Sequence, residues 1–446
     1  MKHALPALAA AFFLAVSAPS QASPPEPLPN PDQPAVTPVF RSGGSDASSS
    51  SDASASTARI CPTLRRLARQ GNGAAGLRVL NLKTGKDVCG LNSLARRSLA
   101  SNNKLFTTST VLDRLGNRVF RTRVYAAGPV RKGVLKGNLY LKGGGDPSFG
   151  TNAFLQSYLA GEGTSVERLA TQIRKRGIRQ ITGRVFGDDT IFDRLRGVAD
   201  SGYATSPWIG PLSGLSFNAG YTSASLSSFS SNPAGLAART LARLLRARGV
   251  NVRLQVGVRK TPARWVRSKG LLAWQNSPDM PWMARITNLN SVNFWAETLL
   301  KDLGAYIRHK GTTAEGVKVV RRTMATLGVN VWPIDGSGLT YGNRSTAYDV
   351  VKLLYKARRQ PWGNYLFQSL PTAGVDGTLA DRMRGSAAQR RCHAKTGTLT
   401  GVSALSGYCF NQSGRRFAFS ILMNDVRNLD RAHVAQDRIA ALIARL

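Results

Sequence analysis

The two ends of this chain constrain its fold more than anything between them, because both mix helix with strand. From Arg59 to Gly116 the pattern is helix, hairpin, helix. Leu64 and Leu67 in CPTLRRLARQ suit a short helix. GLRVLNL and KDVCGLN flank a turn at Lys83-Thr84-Gly85. SNNKLFTTSTVLDRLG is an apolar helix closed by Gly116. At the other end HAKTGTL, VSALSGYCF and FAFSILMN read as antiparallel strands, and RAHVAQDRIAALIARL as a closing amphipathic helix. Helices with strands beside them at both ends imply an α/β (α+β) sandwich, an antiparallel sheet between helices, interrupted by an inserted unit.

Residues 141–274 supply that insert. Helices (VERLATQIRKRG, GLAARTLARLLRARG) are mixed there with strands (ITGRVFGDD, VNVRLQVGV), which predicts a mixed α/β domain. Three helices follow from Asn288. The catalytic unit is therefore expected over 58–140 and 275–446.

Ahead of it, Met1-Lys2-His3, the uncharged apolar run Ala4–Ala18 and Ser20-Gln21-Ala22 have the layout of a secretory signal peptide over 1–22. Residues 23–57, rich in Pro, Ser, Ala and Asp, read as a disordered tether. Four cysteines fit an exported protein. The expected bridges are Cys61–Cys89 and Cys392–Cys409, since each closes a short local loop. There is no CxxC and no HExxH, and the four His are scattered, so no metal and no cofactor are expected.

Lys and Arg number 61 against 24 Asp and Glu, a net charge of +37. Taken alone, that would suit nucleic acid. Export redirects it to polyanions of the cell envelope, in a periplasmic or extracellular setting.

Three short patterns carry chemistry. Ser101-Asn-Asn-Lys104 is the one Ser-x-x-Lys in the chain, and it opens a helix. Residues three apart share a helix face, so the lysine reaches the hydroxyl and, once neutral, can take its proton. Ser291-Val-Asn293 heads a second helix. Ser-x-Asn occurs elsewhere, at Ser101, Ser216 and Ser230; Ser291 is singled out by its place between the other motifs. Lys395-Thr396-Gly397 lies on a strand before a turn at 400–401. Lys and Thr there can bind a carboxylate, and the glycine would let a ligand backbone approach. Lys83-Thr84-Gly85 precedes the Ser-x-x-Lys and is read as a turn only. Taken in order, the three patterns form the signature of penicillin-binding proteins and β-lactamases.

With these motifs go LASNNKLFTTSTVLDRLG, YLKGGGDPSF, GDDTIFD, PLSGLSFNAG, IDGSGLT, SLPTAGVDGTL and AKTGTLTGVSALSGY. The chain from about residue 60 onward thereby resembles the class C low-molecular-mass penicillin-binding proteins, D-alanyl-D-alanine carboxypeptidase/endopeptidases. The resemblance implies a β-lactamase/transpeptidase-like sheet with an insertion between Ser101 and Ser291. Relatives often nest a second insert, and the short passage after Asn218 leaves little room for it. It implies a serine DD-peptidase with Ser101 as nucleophile and Lys104 as base. Ser291 and Lys395 relay a proton, and Asn293 holds the substrate amide. Thr396, Gly397 and Thr398 form the substrate strand. Its partners would be peptidoglycan stem peptides, with β-lactam antibiotics as inhibitors. Asp188 and Phe192 in GDDTIF match an insert segment that lines the substrate region in relatives. Tyr341 stands where relatives commonly carry Arg, with Arg344 three places on.

Two rival readings are a β-lactamase-type hydrolase and a catalytically idle, basic wall-binding protein. The Glu-x-x-x-Asn pattern of one lactamase class occurs only at Glu26–Asn30, ahead of the nucleophile, which argues against the first. Gly143–Gly145 lacks a phosphate loop's Gly-Lys-Ser/Thr ending and reads as a turn. Trp208, Trp274, Trp282 and Trp295 are expected in the core, and the arginines of LARLLRARG on a solvated face. The last helix could touch membrane peripherally. Its stripe of Val434, Ile439, Leu442, Ile443 and Leu446 is instead expected to pack on the sheet.

Overall fold

Residues 50–446, apart from 117, 268 and 269, are described by the computed structural model. The expected signal peptide and the tether as far as residue 49 lie outside the described residues. The end of the tether does not. Helix α1 spans Ser50–Gln70, so residues 50–57 are helical where a linker was expected. Two alanines in that stretch, Ala53 and Ala55, are the strongest helix formers. The helix is held from its other end, where Leu64 and Ala68 are buried on the sheet.

The main sheet has five strands. Its N-terminal pair is the hairpin β1 (Ala74–Asn81) and β2 (Asp87–Leu91). Its C-terminal strands are β3 (Cys392–Leu399), β4 (Val402–Phe410) and β5 (Arg416–Asn424). The order is β3-β4-β5-β1-β2, antiparallel throughout. The two ends of the chain meet where Leu77 of β1 faces Ile421 of β5. The bridge Cys392–Cys409 joins residues directly opposite each other on β3 and β4. Cys61–Cys89 ties α1 to β2. Both expected pairings are present.

Side chains alternate along a strand, and here both faces are covered. Phe417, Phe419, Ile421 and Met423 of β5 enter one core with Leu64 of α1 and with Ile439 and Ile443 of α5 (Leu429–Ile443). Ala418 and Leu422 enter the other. That second core holds Leu105, Phe106 and Val111 of α2 (Asn103–Leu115), Phe294, Leu299 and Leu300 of α3 (Asn293–Arg308), and Val350 and Leu354 of α4 (Ala347–Ala357). The last helix thus packs on the sheet as expected, except that Val434 points outward and is exposed. Among the described residues no helix is long and apolar enough to cross a membrane.

Between α2 and α3 the chain builds a second, mixed sheet. Its order is Val256–Val258, Val185–Asp188, Asn138–Lys142, Arg121–Ala127 and Leu271–Asn276. Helices Val166–Lys175 and Pro233–Ala247 cover it through Leu169, Ile173, Leu241 and Leu245. Arg121–Ala127 and Asn138–Lys142 pair inside this sheet, ahead of the boundary at 141 drawn from composition. Nothing local marks which sheet a strand joins; only its partners do. Gly143–Gly145 is an irregular segment bent at Gly145, with the turn expected there falling at Pro147–Ser148 instead; the Tyr306 hydroxyl of α3 donates to the Gly144 carbonyl at 2.7 Å.

Two of the four tryptophans depart from the expected core. Trp295 is buried and lies against half-buried Trp282, but Trp208 and Trp274 are exposed.

Candidate active site

Ser101 sits in a single 3₁₀ turn, Ala100–Asn102, that runs straight into α2. The turn starts from a strained residue, since Ala100 has φ +44. Its carbonyl leans on Gly338, where a Cβ would come within 1.9 Å of it. Asn102 and Lys104 point inward and are fully buried.

The ammonium of Lys104 touches three groups. Its Nζ lies 2.9 Å from Ser101 Oγ, 2.7 Å from Asn293 Oδ1 and 2.8 Å from the Ser337 carbonyl oxygen. Burial lowers its pKa to about 7, although the negative charges of Glu297 and Asp335 pull the other way. A lysine so placed can be neutral at ordinary pH and accept the serine proton.

Asn293 begins α3. Its side chain joins the base on one side and donates from Nδ2 to the Trp208 carbonyl on the other, at 3.0 Å. Ser291, two residues earlier, receives a hydrogen bond from Lys395 Nζ at 2.9 Å. Lys395 is fully buried on β3, the edge strand, and also donates to the Thr396 carbonyl at 2.9 Å. Burial, helped by the nearby charge of Lys104, pushes its pKa well below the usual lysine range.

The edge strand is tied to the nucleophile's turn, since Asn102 Nδ2 donates to the Lys395 carbonyl at 3.0 Å. Gly397 serves that contact. A Cβ there would lie 2.9 Å from the Leu99 carbonyl oxygen and 3.1 Å from the Asn102 nitrogen. The glycine makes room for the protein's own 3₁₀ turn, a role that its place on the strand alone did not suggest. Thr396 is held by Thr378, hydroxyl to hydroxyl at 2.7 Å, and Thr398 is exposed beside it.

The structure brings Ser101, Lys104, Ser291, Asn293 and Lys395 together with Thr396, Gly397 and Thr398. It does not bring in Asp188 or Phe192. Asp188 is buried in the second sheet. Its carboxylate accepts from Lys142 at 3.0 Å, from the Thr190 hydroxyl at 2.6 Å and from the Thr261 hydroxyl at 2.6 Å. Phe192 is buried, with its backbone bridged to Gly311. A carboxylate with that many partners is holding its own sheet together. Lys83-Thr84-Gly85 is an exposed turn, as read.

Several contributors went unread. Glu297, fully buried one helical turn after Asn293, accepts from the backbone N–H groups of Gly336 at 2.8 Å and Ser337 at 2.6 Å. An acid inside the apolar run FWAETLL was the available signal, because an unpaired acid is almost never fully buried. Asp335 fixes the same loop through the N–H groups of Gly338 and Thr340. Tyr341 spans the rim. Its hydroxyl donates to the Thr400 carbonyl at 3.1 Å and its N–H to Asp200 at 3.2 Å. Arg344 lies in a small sheet with Arg97–Ser98 and Val331–Trp332.

Comparison with known proteins finds relatives in sequence and in fold. The model of the D-Ala-D-Ala carboxypeptidase 3 (S13) family matches residues 63–230 and 221–446. A D-alanyl-D-alanine carboxypeptidase of Actinomadura sp. (strain R39) is 31% identical over 431 residues, covering 78% of this chain and 77% of its own. Carboxypeptidase DacB of Mycolicibacterium smegmatis is 28% identical over 474 residues, covering 99% and 94%. Among solved structures, penicillin binding protein 4 of Haemophilus influenzae superposes with a TM-score of 0.71 at 20% identity, over 86% of this chain and all of that one. The chain belongs to the D-Ala-D-Ala carboxypeptidase 3 (S13) family.

Proposed function

We propose that this protein is a serine DD-peptidase that cuts the terminal D-Ala-D-Ala bond of peptidoglycan stem peptides, and D-Ala cross-links where its cleft admits them, through an acyl-serine intermediate that penicillins trap. One observation carries the reading: Lys104 Nζ lies 2.9 Å from Ser101 Oγ and 2.7 Å from Asn293 Oδ1.

Ser101 Oγ attacks the carbonyl of the penultimate D-Ala while neutral Lys104 takes the hydroxyl proton. The oxyanion rests on the backbone N–H groups of Ser101 and Thr398, an arrangement in which each donor contributes about 10²–10³ in rate. Ser291, hydrogen-bonded to Lys395, delivers a proton to the departing amine. The C–N bond breaks and an ester remains on Ser101. Asn293 orients the substrate amide, and Lys395, Thr396 and Thr398 receive the terminal carboxylate. Water then hydrolyses the ester and restores the serine. No cofactor enters any step.

The same reading puts the protein outside the cytoplasm, in the periplasm or extracellular envelope, after loss of a signal peptide. It also takes up the charge of +37 as attraction to envelope polyanions.

Fluorescent penicillin should label the protein covalently and fail to label Ser101→Ala; persistent labelling of the variant would sink the assignment. Incubation with monomeric and cross-linked muropeptides, followed by mass analysis, should show release of D-Ala. Binding to sacculi without release would return the idle wall-binding reading. Fast nitrocefin turnover would favour a β-lactamase.

A further inference from the structure

Helix α5 closes the face of the sheet opposite α2 and α3, so its outer side lies away from the catalytic cleft. Arg431, Arg438 and Arg445 follow each other at seven-residue intervals and are all exposed. Seven residues make nearly two full turns, so Arg431 and Arg438 share one face of α5 about 10 Å apart along its axis, and Arg445 follows in the turn just past its C-terminus. Each end of this run opens into a groove. One, of about 650 Å³, adds Arg69 of α1 and the polar Asn72 and Asn428. The other, of about 890 Å³, adds Arg390 and Arg415 beside Asn411, Gln412 and Ser413.

Among the described residues, none of these six arginines makes an ion pair. The acids nearby do not neutralise the run. Asp430 lines the first groove, Asp437 is held by Arg382 at 2.6 Å, and no acid lines the second. Unpaired guanidinium groups following one another beside two grooves, the first about equally polar and apolar and the second mainly polar, match a linear chain of phosphates, which they can grip two oxygens at a time. A lipid surface would call for a row of apolar anchors between the cations. The one large apolar side chain exposed in either groove is Val434.

We propose that the outer face of α5 and its two flanking grooves form a docking track for a linear phosphodiester polymer of the envelope. The track holds the enzyme on the wall while the cleft on the other side of the sheet stays free. It rests on the envelope location read above and is independent of the catalytic assignment.

The test compares two triple charge reversals with the same change in net charge. One is Arg431→Glu, Arg438→Glu and Arg445→Glu. The other is Arg239→Glu, Arg243→Glu and Arg246→Glu on the exposed side of helix Pro233–Ala247. The full chain is titrated with immobilised inorganic polyphosphate across a salt series, and with phosphatidylglycerol vesicles. Penicillin labelling of both variants reports that they are folded. The α5 triple should weaken polyphosphate binding at least tenfold and flatten its log–log salt dependence by about three units, one per lost phosphate contact. The control triple should stay within about threefold of the parent. Equal losses in the two triples would reduce the effect to net charge and overturn the proposal. So would an α5 triple that loses vesicle binding and keeps polyphosphate binding.

Discussion

Glu297 and Ser337 meet through a hydrogen bond of 2.6 Å from the serine amide to the carboxylate, and the carbonyl of that same Ser337 lies 2.8 Å from the Nζ of Lys104. Glu297 therefore acts on the base at one remove, by fixing the loop that receives it. Replacement by Gln keeps an oxygen for the two amides, and acylation by penicillin should stay within a few fold of the parent. Replacement by Leu removes the acceptor and strands two buried N–H groups. Acylation should then fall about 10²-fold at saturating penicillin, the cost of a catalytic group displaced by an ångström. Stopped-flow acylation of both variants checks this, and a Leu variant as fast as the parent would refute it.

The pH dependence of acylation should follow Lys104. Burial brings its pKa to about 7, and only the neutral amine can take the serine proton. Below that value the acylation rate should fall about tenfold for each pH unit, and above it the rate should level off. A flat profile between pH 5 and 8 would exclude Lys104 as the base.

Gly397→Ala puts a methyl group against the Leu99 carbonyl and the Asn102 amide. The neighbours are backbone, so the Ser101 turn or the edge strand must move. Acylation should drop at least tenfold, while thermal unfolding shifts by only a few degrees. An unchanged acylation rate would show that the gap closes without moving Ser101.

Removing one disulfide at a time should cost stability more than activity. The bridges close loops with sequence separations of 17 and 28 residues, where the chain-entropy account gives about 3 kcal/mol each. Cys392→Ala with Cys409→Ala should lower the urea midpoint and leave penicillin labelling at 25 °C intact. No shift in the midpoint would mean that the strand pairing alone holds that end of the sheet.

The reactive groups were readable because their chemistry imposes spacing. Ser101 and Lys104 share a helix face, Ser291 and Asn293 head another, and Lys395 and Thr396 lie on a strand. Three short patterns therefore located a site assembled from distant parts of the chain. The positioning groups were harder to see. Glu297 and Ser337 are brought together by the fold, and no local pattern ties them. Asp188 shows the converse error. The match of its segment to relatives suggested substrate contact, and its neighbours in space are Lys142, Thr190 and Thr261. Trp208 was missed for a related reason. Its bulk argued for burial, yet its carbonyl receives Asn293 and its ring is exposed. The start of the second sheet at Arg121 was hidden because alternation within a strand says which face is buried and not which sheet it joins.

The pairing of β1 with β5 bears on the order in which the polymer is made. A chain synthesised from its N-terminus produces the nucleophile early, at Ser101, and the strand bearing Lys395 only near the end. Until β5 emerges, β1 lacks the neighbour that joins it to β4 and β3. No nascent fragment that stops short of Asn424 can close the sheet. The reactive serine stays unarmed through most of translation, and a truncated product would be inert toward the polymer that the finished enzyme cuts.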